Sequence, residues 1–179
     1  MTQTARLYGG SMYELAAEEQ LAGIILEQMQ MIRELFRENP DYVKLLTNPA
    51  IPKEERNQLL EDAFGARAER YLVNFLKLLC ERNILMEYAG CCEEFTRRYN
   101  ADHNIAEAVV TSAVALDEEQ QKALEKKLEK ISGKKISIII KVDPSVVAGL
   151  RVELEGKQLD GTVQGRLASV SRKLNEIIV

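Results

Sequence analysis

The chain predicts an α plus α/β protein: an N-terminal six-helix bundle followed by a small mixed β-sheet domain with two helices. Three observations carry this. Apolar residues recur every three or four positions up to about Asn104, and from Ala106 the period changes toward two. Residues that cap helices or break strands punctuate the chain at the intervals such elements need. Acidic charge is concentrated at one end, with 12 basic and 17 acidic residues up to Asn104 against 12 and 11 after it. The domains are therefore expected over residues 1–104 and 105–179.

Thr4 is expected to cap a first helix that places Ala5, Tyr8, Met12, Leu15 and Ala16 on one face. Gly9 and Gly10 lie inside it, where each costs about 1 kcal/mol relative to alanine. Close approach of another helix backbone would justify that cost. A second helix is expected from about Glu19 to Glu38, burying Leu21, Ile24, Ile25, Ile32, Leu35 and Phe36 on one face with Gln28. Asn39-Pro40 breaks it, and a short helix follows over residues 41–46. Pro52 suits the first position of a fourth helix, with Glu54 and Glu55 near its positive end and Gly65 as its stop. The fifth, about 67–81, is apolar nearly all round through Tyr71, Leu72, Phe75, Leu76, Leu78 and Leu79, as a central helix would be. The sixth carries Leu85, Tyr88, Cys92, Phe95 and Tyr99.

Beyond Asn104, the alternation from Ala106 to Leu116 reads as a strand. Asp117 with Gln120 forms a capping box for a helix burying Leu124, Leu128 and Ile131 and ending at Gly133. Ile136 to Val142 is a second strand, broken at Asp143-Pro144, and Leu150 to Glu155 a third. Gly149 allows a bulge or close packing between them. Gly156-Lys157 turns the chain into a fourth strand near Leu159 to Val163. A last helix carries Val163, Leu167, Val170, Leu174 and Ile177.

A composition of 46% hydrophobic and 29% charged residues is that of a soluble globular protein. The net charge of −4 argues against nucleic-acid binding, which needs clustered cations. The longest apolar runs, Ile138 to Ile140 and the interrupted stretch from Ala106 to Leu116, fall far short of the roughly 20 residues of a membrane span. No signal core or transit segment opens the chain, so a cytoplasmic protein is expected, reaching a membrane only through partners. Cys80, Cys91 and Cys92 fit reduced thiols in that compartment.

Little here suits catalysis. His103 is the only histidine, and Cys91-Cys92 lacks the two-residue gap of zinc or redox pairs. Cys92 lies on the apolar stripe between Tyr88 and Phe95, where a cysteine is inert core, which weakens a Cys92–His103 nucleophile pair. Gly156, Gly161 and Gly165 miss the spacing of phosphate loops and read as turn glycines. Glu54-Glu55, Glu93-Glu94 and Glu118-Glu119 belong near helix starts or on solvated faces. No catalytic residue, cofactor or metal site is expected.

Several stretches are similar to one family in order along nearly the whole chain. Tyr8 to Ala16 resembles the opening helix of ATP synthase delta subunits, known in mitochondria as the oligomycin sensitivity-conferring protein, with Gly9 and Ser11-Met12 as departures. Asn48 to Glu55 resembles the family's Pro-x-Ile connector. Asn74-Phe75-Leu76-Lys77-Leu78-Leu79-Cys80-Glu81 is similar to its Asn-Phe-Leu-x-Leu-Leu-x-Glu helix. Ala108 to Ala113 resembles its Ala-x-Val-x-Ser-Ala strand. Val142-Asp143-Pro144-Ser145, running on through Gly149 to Val152, resembles its Val-Asp-Pro-Ser segment, and Leu159 to Val163 the motif after it. Arg166-Leu167 and Leu174 match its closing helix.

The resemblance implies a non-catalytic stator subunit of an F-type proton-translocating ATP synthase, peripheral on the cytoplasmic side of the cell membrane. Its N-terminal bundle would hold the N-terminal helix of an alpha subunit of the catalytic head. Its C-terminal domain would hold the b subunits of the peripheral stalk, so that rotor torque is resisted. The family groove lies between the first and fifth helices, which points to Tyr8, Met12, Leu15, Tyr71, Phe75 and Leu79. The fifth helix has more apolar residues than one stripe uses, and Gly9 would let a partner backbone come close. All six equally suit ordinary core. Two other readings stand: an RNA- or ribosome-associated adaptor, and a thiol-dependent enzyme using Cys91 or Cys92. The first needs aromatic platforms, yet the residues after Asn104 hold no Phe, Tyr or Trp.

Overall fold

The computed structural model describes residues 1–146, 149–154 and 156–160. The chain divides into two compact units, Met1–Tyr99 and Asn100–Val179. The first contains α1 (Gln3–Glu18), α2 (Ala22–Glu38), α3 (Pro40–Thr47), α4 (Lys53–Phe64) and α5 (Arg70–Glu81). A 3-10 turn over Leu85–Glu87 then leads into α6 (Tyr88–Asp102), which carries the chain across the division.

The helix ends show local chemistry at work. Thr2, not Thr4, caps α1: its side chain accepts a bond from the Ala5 N–H. α1 and α2 are separated at Gln20, which takes a left-handed φ of 59° and so interrupts what the sequence reads as a helix start at Glu19. Pro40 opens α3 as its first residue rather than standing outside it. Gly65 does end α4, but in a right-handed conformation, with its N–H bonded to the Glu61 carbonyl.

One core joins the six helices, built from residues such as Ile25, Met29, Leu60, Leu72, Leu76 and Phe95. The apolar arc of α2 is wider than one buried face. Ile25, Met29 and Ile32 turn inward, whereas Ile24 and Leu35, both expected in the core, stay 49% and 40% exposed. Arg56 is buried at 3% exposure, and its guanidinium donates to the Leu46 carbonyl (3.1 Å) and to Asn83 Oδ1 (3.3 Å). A cation there meets the negative ends of α3 and α5.

The second unit contains β1 (Ile105–Ser112), α7 (Glu118–Ser132), β2 (Lys135–Val142), β3 (Leu150–Leu154) and β4 (Lys157–Asp160). The sheet order is β2-β1-β3-β4. β1 and β2 are parallel, with Ala108 opposite Ile138, and the other two pairings are antiparallel. The sheet is therefore mixed. The capping box of Asp117 and Gln120 opens α7, and Gly133 closes it at φ 69°. Ala106, Ala108 and Val110 meet Leu128, Ile136, Val152 and Leu154 in a second core. Ile131, expected there too, is 69% exposed: it shares the face of Leu124, seven residues earlier, but lies in the last turn of α7. Gly149 has a φ of 109°, so its freedom is used for backbone direction. β4 starts at Lys157, two residues earlier than Leu159, directly after the Gly156 turn. The expected last helix lies outside the described residues.

Candidate functional site: the faces of the first and fifth helices

α1 is held from one side by α6. A Cβ at Gly9 would stand 2.5 Å from the Cys91 carbonyl oxygen, so the two backbones touch and no other residue fits without displacement. The close approach expected at Gly9 is thus filled by α6, which leaves none of it for a partner. At Gly10 the Arg98 guanidinium occupies the space of a side chain. Arg98 donates to Glu94 Oε1 (2.9 Å) and to Glu14 Oε1 (2.6 Å), bridging α6 to α1. Arg97 adds two bonds to Glu94, which is only 2% exposed and not on a solvated face as expected. The Arg97 bonds, aided by Arg98 against the effect of burial, lower the Glu94 carboxyl to about 2. Tyr13 meets Phe95 edge to face, with centroids 5.3 Å apart, and Thr2 donates to Glu87.

With one flank of α1 engaged this way, the six expected partner residues fall into two groups. Met12, Phe75 and Leu79 are buried in the helical core. Tyr8 and Tyr71 pack against that core while keeping part of their surface, and Leu15 is 36% exposed. Tyr8 and Leu15 lie seven residues apart and share a side of α1. On α5 the same spacing from Tyr71 reaches Leu78, which is 40% exposed and which the sequence places among the apolar residues of this helix but not among the six partner residues. The signal for it was the seven-residue interval, hidden because Leu78 and Leu79 are adjacent and both apolar. Glu19, just past α1, interacts with Tyr71 at the start of α5; that carboxylate, before burial, raises the phenol.

Thiol chemistry has no support here. Cys80, Cys91 and Cys92 are free and buried. Cys92 donates to the Met29 carbonyl at 3.7 Å, and Cys80 to the Leu46 carbonyl at 3.2 Å. Burial pushes the Cys91 thiol up to about 11 and that of Cys92 up to about 12, the reverse of an activated nucleophile. Among the described residues, no group of three His, Cys, Asp or Glu is placed to hold a metal ion. No helix among them is long and apolar enough to cross a membrane. The solvent side of the sheet presents Glu107, Ser137, Ile139, Lys141 and Glu153, both charges and no aromatic platform.

Comparison with known proteins agrees from end to end. A family model described as ATP synthase delta (OSCP) subunit matches residues 4–174. The chain is 33% identical over 177 residues to the ATP synthase subunit delta of Desulfotalea psychrophila, covering 97% of this chain and 98% of that one. It is 28% identical over 175 residues to that of Alkaliphilus oremlandii, covering 98% and 97%. Its fold matches a chain in the cryo-EM structure of the Toxoplasma gondii mitochondrial ATP synthase hexamer. That match has a TM-score of 0.67 and 17% identity, and covers 97% of this chain and 98% of that chain.

Proposed function

The chain belongs to the ATP synthase delta (OSCP) family, and from that premise we propose that it ties the alpha subunits of the catalytic head to the b subunits of the stalk. As such a subunit it is a peripheral-stalk component of an F-type ATP synthase, structural and not itself catalytic. The work is mechanical. A rotor turning inside the head drags the head with it unless a stator holds it, so the link must grip at two places at once. The observation that carries the reading is the family match over residues 4–174, which runs through both compact units.

For the head contact, the outward stripes of α1 and α5 supply the surface: Tyr8 and Leu15 on one, Tyr71 and Leu78 on the other. Met12, Phe75 and Leu79 support them from beneath. An amphipathic alpha-subunit helix lying over both stripes would bury apolar area on each, the helix-in-groove mode. The unit Asn100–Val179 takes the stalk, and the protein then stands on the cytoplasmic side of the cell membrane through its complex alone. Purified chain mixed with a delta-free head complex should co-elute with it on a sizing column. Separate elution at micromolar concentrations contradicts the head contact.

A further inference from the structure

α2 has a second apolar stripe, on its solvent side. Ile24, Met31 and Leu35 are 49%, 64% and 40% exposed, and their spacings of seven and four place them along one line of the helix. The line spans roughly 16 Å. Single exposed apolar residues are ordinary, but three in register on an otherwise polar helix face are a surface. Gln28, in the middle of the line, is fixed by accepting the Glu69 N–H at 2.8 Å. Along one border run Glu27, Glu34 and Glu38, all exposed. Glu34 is paired with Arg37 on its own helix, whereas Glu27 and Glu38 have no ion pair among the described residues. Arg33 sits on the opposite flank, paired with Glu93 of α6.

We propose that this stripe docks a cationic amphipathic helix of another protein, whose apolar residues cover Ile24, Met31 and Leu35 while its Lys or Arg side chains meet Glu27, Glu34 and Glu38. Charge selects this occupant. An acidic helix would set like charges along that border, and a neutral one would leave the carboxylates of Glu27 and Glu38 uncompensated beside a dried surface. The stripe is carried by α2 and comes near α5 at Gln28, bonded to Glu69, and the inference does not depend on the head-and-stalk reading.

The test uses the full chain and two synthetic helical peptides of about 18 residues, five turns, sharing one leucine stripe. One is flanked by lysines and the other by glutamates. Titration followed by amide shifts should show saturable 1:1 binding of the lysine peptide, with shifts centred on residues 24–38. Met31→Asp should weaken it about tenfold, and so should the pair Glu27→Lys with Glu38→Lys, which touches no core side chain. Melting temperatures should stay unchanged in both variants. Equal binding of the glutamate peptide, absence of saturable binding, or shifts centred elsewhere overturns the proposal. The sequence after Asp160 also combines apolar residues with Arg166, Arg172 and Lys173. A chain ending at Asp160 that binds the lysine peptide more than tenfold tighter would identify that segment as the occupant instead, and self-association of the free chain would identify a second copy.

Discussion

Gly9 shows how much one absent side chain can fix. With the Cys91 carbonyl 2.5 Å from where a Cβ would stand, Gly9→Ala must push α1 off α6. We expect a loss of about 1–3 kcal/mol in urea denaturation, the usual cost of overpacking a rigid contact. The Glu94 cluster adds a pH dependence to the same contact. Its folded carboxyl titrates near 2 against an ordinary 4.5, so its stabilisation is complete above about 4.5 and is lost as pH falls toward 2. Wild-type melting temperature should therefore drop across that window. Glu94→Gln should cost about 1.5–3 kcal/mol at pH 7, as loss of hydrogen bonds to a charged group does, and should flatten the acid limb. The cysteines give a third test at this scale. Burial holds Cys91 and Cys92 near 11 and 12, so native protein at pH 8 should react with a thiol reagent far more slowly than urea-unfolded protein. Rapid native labelling would revive a thiol-based reading.

At the scale of the element, α5 and α1 each present a buried stripe and a half-exposed one, and substitution should separate them. Tyr8→Asp, Leu15→Asp and Leu78→Asp should weaken a synthetic alpha-subunit N-terminal peptide by about 1–3 kcal/mol, as hot-spot residues do, with little change in melting temperature. Leu79→Ala, at a fully buried position, should cost about 2–5 kcal/mol of stability whatever it does to binding. Calorimetry beside thermal melts distinguishes the two classes. The helices were legible in the sequence because capping residues and prolines act locally: Asp117 with Gln120 marked the start of α7, and Pro40 marked the break after α2, although it proves to be the first residue of α3 and not a residue outside it. What was not legible was which of two adjacent apolar residues faces inward. Ile24 and Ile25, or Leu78 and Leu79, satisfy the same period, and only the neighbouring helices decide between them. Glu94 was hidden for a related reason. Its burial depends on Arg97 and Arg98 folding back over it, and on Gly10 making room for Arg98 across the interface.

For the whole molecule, the change of hydrophobic period near Asn104 falls close to the division between Tyr99 and Asn100, with α6 overlapping it by three residues. Periodicity reports where helices give way to strands, whereas compactness reports where packing partners change, so the two need not coincide. The order of family-like segments was readable before any packing was known, because turn residues such as Asp143, Pro144 and Gly149 are fixed by backbone geometry. The central claim is that one chain holds head and stalk at the same moment. The most direct measurement is the mass of the species formed when purified head complex, this chain and a soluble b-subunit fragment are mixed. A single ternary particle that forms only when the chain is present is the predicted result. Head–chain and chain–b pairs that never combine, or a ternary particle that forms equally well without the chain, would contradict it.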